Sequence, residues 1–183
     1  LPGKVLTNCD LEKMVDTSDD WIIQRTGIKE RRIVENGQIT SDLATYASLR
    51  AMEDAGVSPG DLDMIITSTI TPDHIFPSTS CYIQQKIGAS RASAFDILAA
   101  CAGFIYALSV GESFVNSGAM KTVLVVGAEC LSKITDYTDR TTCILFGDGA
   151  GAVVIQKSLS KHEILSTSLA ADGSQADVLI MPG

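Results

Sequence analysis

The chain has 183 residues, 45% of them hydrophobic and 20% charged, with 22 acidic against 14 basic side chains and a net charge of -8. At roughly 150 residues per domain this predicts one domain with enough apolar side chains for a buried core, and it excludes a disordered tail. The acidic balance argues against nucleic acid as a partner.

No apolar run, 122–126 included, approaches the roughly 20 residues a bilayer requires, so the reading is a soluble protein with no membrane partner. Five cysteines, at 9, 81, 101, 130 and 143, are odd in number and scattered, unlike a disulfide framework, and predict a reducing, cytoplasmic setting. No CxxC pair is present and His74 and His162 stand far apart, so no metal site is expected. The chain opens at Leu1-Pro2-Gly3 and stops at Met181-Pro182-Gly183 after an apolar run, and both ends read as cut.

In chain order, Thr7 or Asn8 caps a first helix-prone stretch, and Ser18-Asp19-Asp20 caps a second helix that carries Trp21 and ends at Gly27. Thr40 or Ser41 begins a longer helix with a small apolar stripe of Leu43, Ala44, Ala47, Ala51 and Ala55, stopped by Gly56. A β-branched strand over 62–70 precedes a helix over 78–87, a strand over 92–97 and a helix over 103–115. The Val-rich run 121–127 reads as a strand buried on both faces. Strands over 150–156, 163–170 and 177–181 are predicted to follow. Alternating strands and helices, then strands in succession, predict an α/β layered fold with a mixed sheet.

Gly147-Asp148-Gly149-Ala150-Gly151-Ala152 fits a loose G-x-G-x-x-A dinucleotide pattern, with Asp172 downstream. Its context is wrong, because the pattern should open a helix and Val153-Val154-Ile155 reads as strand; a tight turn with closely approaching backbones is the preferred reading. Cys101 lies in Asp96-Ile97-Leu98-Ala99-Ala100-Cys101-Ala102-Gly103-Phe104, at a strand-to-helix junction with small neighbours. There, helix N–H groups would favour a thiolate and stabilise an oxyanion on a bound thioester. Cysteine is also a common space-filler, which suits Cys81, Cys130 and Cys143; for Cys101 both readings stay open on local context.

The block 96–104 resembles the nucleophile motif of the β-ketoacyl-acyl-carrier-protein synthase III family of condensing enzymes. Thr17-Ser18-Asp19-Asp20-Trp21-Ile22-Ile23-Gln24-Arg25-Thr26-Gly27-Ile28 is similar to another of its signatures, as are Phe76-Pro77-Ser78, Asp139-Arg140-Thr141 and the stretch from Leu145 to Ala152. The block from Trp21 to Ile28 argues against chalcone-synthase-like and HMG-CoA-synthase-like relatives.

The resemblance implies a thiolase-like fold of two related halves stacked as α/β/α/β/α layers, with residues 1–183 as most of the first half and the C-terminal half absent. It implies acylation of Cys101 by an acyl-CoA, acetyl-CoA by preference, then condensation with malonyl-acyl-carrier protein and loss of CO2. No cofactor is needed, since acyl-CoA is a substrate, and a homodimer is implied. Thr17, Trp21, Arg25 and Arg140 match coenzyme A contacts; Phe76 matches a residue that crosses the dimer interface to close the partner subunit's acyl pocket, and Leu131, Leu145 and Phe146 match acyl-pocket walls. The family's catalytic histidine and asparagine are not identifiable in these residues, and His74 and His162 are read as ordinary loop or surface residues. That gap motivates an alternative, a noncatalytic module that binds coenzyme A or carrier protein. Arg25, Lys29, Arg31 and Arg32 form a basic cluster, read equally as an anion-recognition patch or a solvated strand edge.

Overall fold

The computed structural model describes residues 1–157 and 163–181. A short antiparallel ribbon pairs β1 (Lys4–Thr7) with β2 (Glu30–Ile33). Two helices, α1 (Asn8–Leu11) and α2 (Asp19–Thr26), connect these strands. Thr7 caps α1 and Ser18 caps α2 by accepting the Trp21 N–H, while Gly27 ends α2 at φ 69°, a left-handed conformation that a Cβ would oppose.

After α3 (Thr40–Ala55) come β3 (Met64–Ser68), α4 (Thr79–Ile87), β4 (Ser93–Ile97), α5 (Gly103–Asn116), β5 (Thr122–Cys130) and β6 (Asp148–Gln156). The four later strands form one sheet in the order β4-β3-β5-β6, with β4, β3 and β5 parallel and β6 antiparallel to β5. This is the mixed α/β arrangement expected from the alternation of patterns.

All five residues of β3 are buried, as are Thr122 to Val126 of β5. Their side chains alternate between two clusters. Ile65, Leu124 and Val126 join Ala44 and Met52 of α3 and Ile83 and Ile87 of α4, while Met64, Ile66, Val123 and Val125 join Ala107 and Val115 of α5. Helices therefore cover both faces, and each fully buried Ile, Leu or Val contributes about 1.5–3 kcal/mol. Gly111 lets α5 lie close: a Cβ there would come within 3.1 Å of Val125 Cγ2 and Ile155 Cδ1. Asp63 aligns the starts of β3 and β5, its carboxylate accepting the Lys121 and Thr122 N–H groups at 2.7 and 3.0 Å.

The inward face of α3 differs from the predicted stripe. Leu43, Ala44, Ser48 and Met52 are buried, whereas Ala55 is exposed. Ser48 sits in the core because its hydroxyl donates to the Ala44 carbonyl at 2.7 Å, which removes the desolvation cost that made it read as polar.

The two last predicted strands are corrected. Residues 163–170 form no regular element, and Gly173–Val178 is a 3-10 helix, followed by Leu179 to Met181 without strand pairing. Asp172 starts that turn by accepting the Ser174 N–H and hydroxyl at 3.0 and 2.6 Å. An apolar run becomes a strand only where a neighbour takes its backbone hydrogen bonds, and among the described residues no strand pairs beyond β6. The tight-turn reading of the glycine block is corrected too: Asp148 to Ala152 are the first residues of β6, paired with Val126 to Cys130 of β5, so the glycines lie in a strand, and no helix follows them as the dinucleotide pattern would need. Among the described residues, no helix is long and apolar enough to cross a membrane.

Several native carboxylates sit below their ordinary range. Hydrogen bonds from the Thr7 side chain, then Lys13, pull Asp10 down to about 2, and the Lys121 and Thr122 N–H groups lower Asp63 from 3.8. The unfolded chain therefore binds more protons in this window, so stability is full above the unfolded value and is lost as pH falls through the native ones. The urea midpoint is expected to drop steadily between about pH 5 and pH 2.5; a flat midpoint over that interval would contradict it.

Candidate active site

The C-terminal ends of β3, β4 and β5 open at one edge of the sheet, the edge where parallel α/β sheets place their ligands. Cys101 lies at this edge. The chain leaves β4 at Ile97, turns through a 3-10 segment at Ala100–Ala102 and enters α5 at Gly103. Ala100 adopts φ 45°, and it is the one non-glycine described residue with positive φ. A left-handed alanine costs on the order of 1 kcal/mol, a strain that here throws the next side chain outward. Cys101 is exposed. The Ala102 and Gly103 N–H groups are taken by the Ala99 and Ala100 carbonyls. An oxyanion would therefore rely first on the Cys101 N–H and the next amides of α5.

Gly103 makes the turn this tight. A Cβ there would collide with the Ser68 side chain at the end of β3. Gly127 likewise leaves room for Phe104, whose Cδ2 lies 3.1 Å from where a Cβ would stand.

Three carboxylates fasten the loops at this edge, and none of them was singled out from sequence. Asp96 accepts the Thr79 and Ser80 N–H groups at 2.6 and 2.8 Å, so a residue inside the cysteine motif caps α4 and ties it to β4. Glu129 accepts the Ile70 and Thr71 N–H groups at 2.8 and 3.1 Å, together with the Thr71 hydroxyl, holding the loop that leads to Phe76. Asp148 accepts Val34 N–H at 2.7 Å and Ser132 N–H at 2.8 Å. Their available signals were a lone acid ending the Val-rich strand run and an acid between two glycines.

Of the apolar candidates, Phe76 is 83% exposed on the loop between β3 and α4. Leu131 directly follows β5, and Leu145 and Phe146 directly precede β6, so all four reach the same edge as Cys101. Leu145 is exposed and Leu131 and Phe146 are half-buried. His74 is exposed and stands against Tyr82 with ring centroids 5.6 Å apart; His162 lies outside the described residues.

A second group gathers around Trp21. The guanidinium carbon of Arg25 lies 4.1 Å from the centroid of the indole ring, and that of Arg140, 115 residues further along the chain, lies 4.5 Å from it. Asp16 pairs with Arg140 at 3.5 Å. Thr17, one residue before the α2 cap, has its hydroxyl oxygen buried with no hydrogen-bond partner. Sequence spacing could pair Trp21 with Arg25 on one helix; the resemblance grouped Arg140 with them, and the fold brings its guanidinium onto the same indole ring.

The basic cluster does not exist as one patch. Arg25 covers Trp21, Arg32 pairs with Glu30 at 3.1 Å, and Arg31 is buried, donating to the Ile144 carbonyl and to Asn8. Alternation along β2 sends Arg31 inward and Arg32 outward. The thiols divide similarly. Burial pushes Cys130 and Cys143 upward, which suits the space-filling reading, while Cys81 is half-buried on α4. Among the described residues, no group of three or more His, Cys, Asp or Glu is placed to hold a metal ion.

A family model described as 3-oxoacyl-[acyl-carrier-protein (ACP)] synthase III matches residues 95–173. A β-ketoacyl-[acyl-carrier-protein] synthase III of Caldanaerobacter subterraneus is 59% identical over the whole chain, which covers 55% of that protein. The chain is similar along its whole length to β-ketoacyl-acyl-carrier-protein synthase III proteins. It spans about half the length of the synthase III relatives it matches, and corresponds to their N-terminal half. The synthase III crystal structure from Aquifex aeolicus superposes with a TM-score of 0.92 at 56% identity, over 95% of this chain and 56% of that one. The Thermus thermophilus synthase III structure gives 0.95 at 44% identity, over 100% and 57%. The mixed sheet and its helices are thus a thiolase-like half-fold.

Gly103→Val is expected to cost about 1–3 kcal/mol by overpacking against Ser68 and to slow iodoacetamide alkylation of Cys101 by shifting the start of α5. A wild-type denaturation midpoint and alkylation rate would show that the close approach is not required.

Proposed function

We propose that the protein is a condensing acyltransferase that takes an acyl group, acetyl by preference, from acyl-CoA onto Cys101. It then joins that group to malonyl-acyl-carrier protein with loss of CO2, giving a 3-oxoacyl-acyl-carrier protein that initiates fatty acid synthesis. The observation that carries this reading is Cys101, the exposed thiol on a strained turn at the C-terminal edge of the parallel strands, within a chain similar to this family.

The Cys101 thiolate attacks the thioester carbonyl, the oxyanion is met by N–H groups of the turn and of α5, and the thiolate of coenzyme A leaves. The Arg25 and Arg140 guanidiniums stacked on the Trp21 indole offer a planar cationic platform for an adenine and positive charge for its phosphates, and Thr17 stands one residue before the cap of the same helix. Leu131, Leu145 and Phe146 supply apolar surface for the acyl chain, and Phe76, exposed on its loop, closes the acyl pocket of the partner subunit. The second step needs donors for the enolate oxygen formed on decarboxylation. In a protein of the relatives' length, a histidine and an asparagine outside these residues fill that role, and a second copy of the chain completes a homodimer.

The absence of an assigned histidine and asparagine beside Cys101 also favours a narrower reading for the 183 residues alone, a module that binds coenzyme A or carrier protein without condensing. Turnover measured on the isolated 183-residue chain with malonyl-acyl-carrier protein tests the narrower reading: none is expected, and catalytic turnover would remove it.

Mass spectrometry of the full-length protein after acetyl-CoA is expected to show one acetyl adduct, absent in Cys101→Ala; an adduct that survives that substitution would sink the proposal. Trp21→Ala and Arg140→Ala are each expected to weaken coenzyme A binding by about tenfold in a calorimetric titration. Unchanged affinity in both would place the nucleotide elsewhere.

A further inference from the structure

Asn8 and Arg31 are polar, 1% and 4% exposed, and neither touches the reacting centre. The Asn8 amide nitrogen donates to Asp19 Oδ1 at 2.7 Å and to the Ile28 carbonyl at 2.8 Å. Asp19 is the first residue of α2 and Ile28 follows its Gly27 cap, so one side chain grips both ends of the helix that carries Trp21 and Arg25.

The Asn8 oxygen accepts Arg31 Nη1 at 2.5 Å, and the Arg31 fork closes with Nε and Nη2 on the Ile144 carbonyl, the former at 2.9 Å. Ile144 belongs to the segment that carries Arg140, and Gly147 lets that segment run against β2, since a Cβ would meet the Arg31 side chain and the Arg32 carbonyl at 3.1 Å.

Among the described residues, no carboxylate forms an ion pair with Arg31. A cation buried among neutral acceptors is costly, and neutral partners return little of that cost as charge attraction. What arginine supplies here is a rigid planar fork that reaches two chain segments at once, which lysine cannot reproduce. The path is continuous: Asp19 and Ile28 to Asn8, Asn8 to Arg31, Arg31 to Ile144.

We propose that Asn8 and Arg31 are positioning residues that hold α2 and the Arg140 segment together, so that the arrangement of both guanidiniums over Trp21 is formed before a purine nucleotide arrives. The purine part rests on the coenzyme A reading above; the positioning part stands on the hydrogen bonds alone. Pre-formation matters because a ligand that must first assemble its own stacking site loses affinity by the cost of that assembly.

The test uses the full-length protein. Trp21 is the one tryptophan of the 183 residues, and subtraction of a Trp21→Phe spectrum isolates its emission. Arg140→Ala sets the acrylamide quenching expected when the segment no longer covers the indole. Arg31→Lys removes the fork, and Asn8→Asp keeps an acceptor for Arg31 while losing the donors to Asp19 and Ile28, which decides the matter should Arg31→Lys not fold.

In variants whose far-ultraviolet dichroism matches the parent, quenching of Trp21 is expected to rise toward the Arg140→Ala value. The coenzyme A dissociation constant is expected to rise about tenfold, with the alkylation rate of Cys101 unchanged. Wild-type quenching in a folded variant overturns the proposal, whatever happens to affinity. If quenching rises as expected but coenzyme A fails to bind even the parent, the positioning role stands and the coenzyme A reading falls.

Discussion

Strands β3 and β5 are covered by helices on both faces, α3 and α4 on one side and α5 on the other. Side chains on each face are committed to different neighbours, so neither strand can move without uncovering two clusters at once. That rigidity is what gives the edge beyond Ser68, Ile97 and Gly127 its value. Every loop leaving there starts from a position the core has already set, and a thiol on such a loop is placed to within the precision of the sheet itself.

The loops still need fastening, and the molecule does it with carboxylates. Asp96, Glu129 and Asp148 each accept backbone N–H groups from a neighbouring segment. An ionised oxygen accepting several N–H bonds makes a stronger tie than neutral groups would, and it satisfies amides that a turn would otherwise leave bare. Arg31 does the converse beside the Asp148 segment, donating to the Ile144 carbonyl and to Asn8. Charged side chains thus serve here as fasteners of irregular backbone, while Arg25 and Arg140 keep their planar faces against Trp21.

Much of the fold was legible because its signals are local. Caps at Thr7 and Ser18, stops at Gly27 and Gly56, and the Val-rich run of β5 each depend on residues within a turn or two of one another. The tail from 163 to 181 was misread because a strand is a relation between two segments, and an apolar run carries only one of them. The ribbon of β1 and β2 went unannounced for the same reason: Lys4 to Thr7 and Glu30 to Ile33 are short, partly polar, and become strands by pairing with each other.

The candidate site divides along the same line. Sequence alone determined the chemistry available: a cysteine among small residues between a strand and a helix, a tryptophan four residues from an arginine, and the family those motifs resemble. Tertiary structure decided which groups meet. Arg140 reaches Trp21 across 119 positions of chain, Arg31 leaves the basic cluster for the interior, and Asp96 turns from the cysteine motif to cap α4. Such outcomes depend on which face of a strand is buried and which loop crosses it, and those are properties of the packed sheet, absent from any short window of residues.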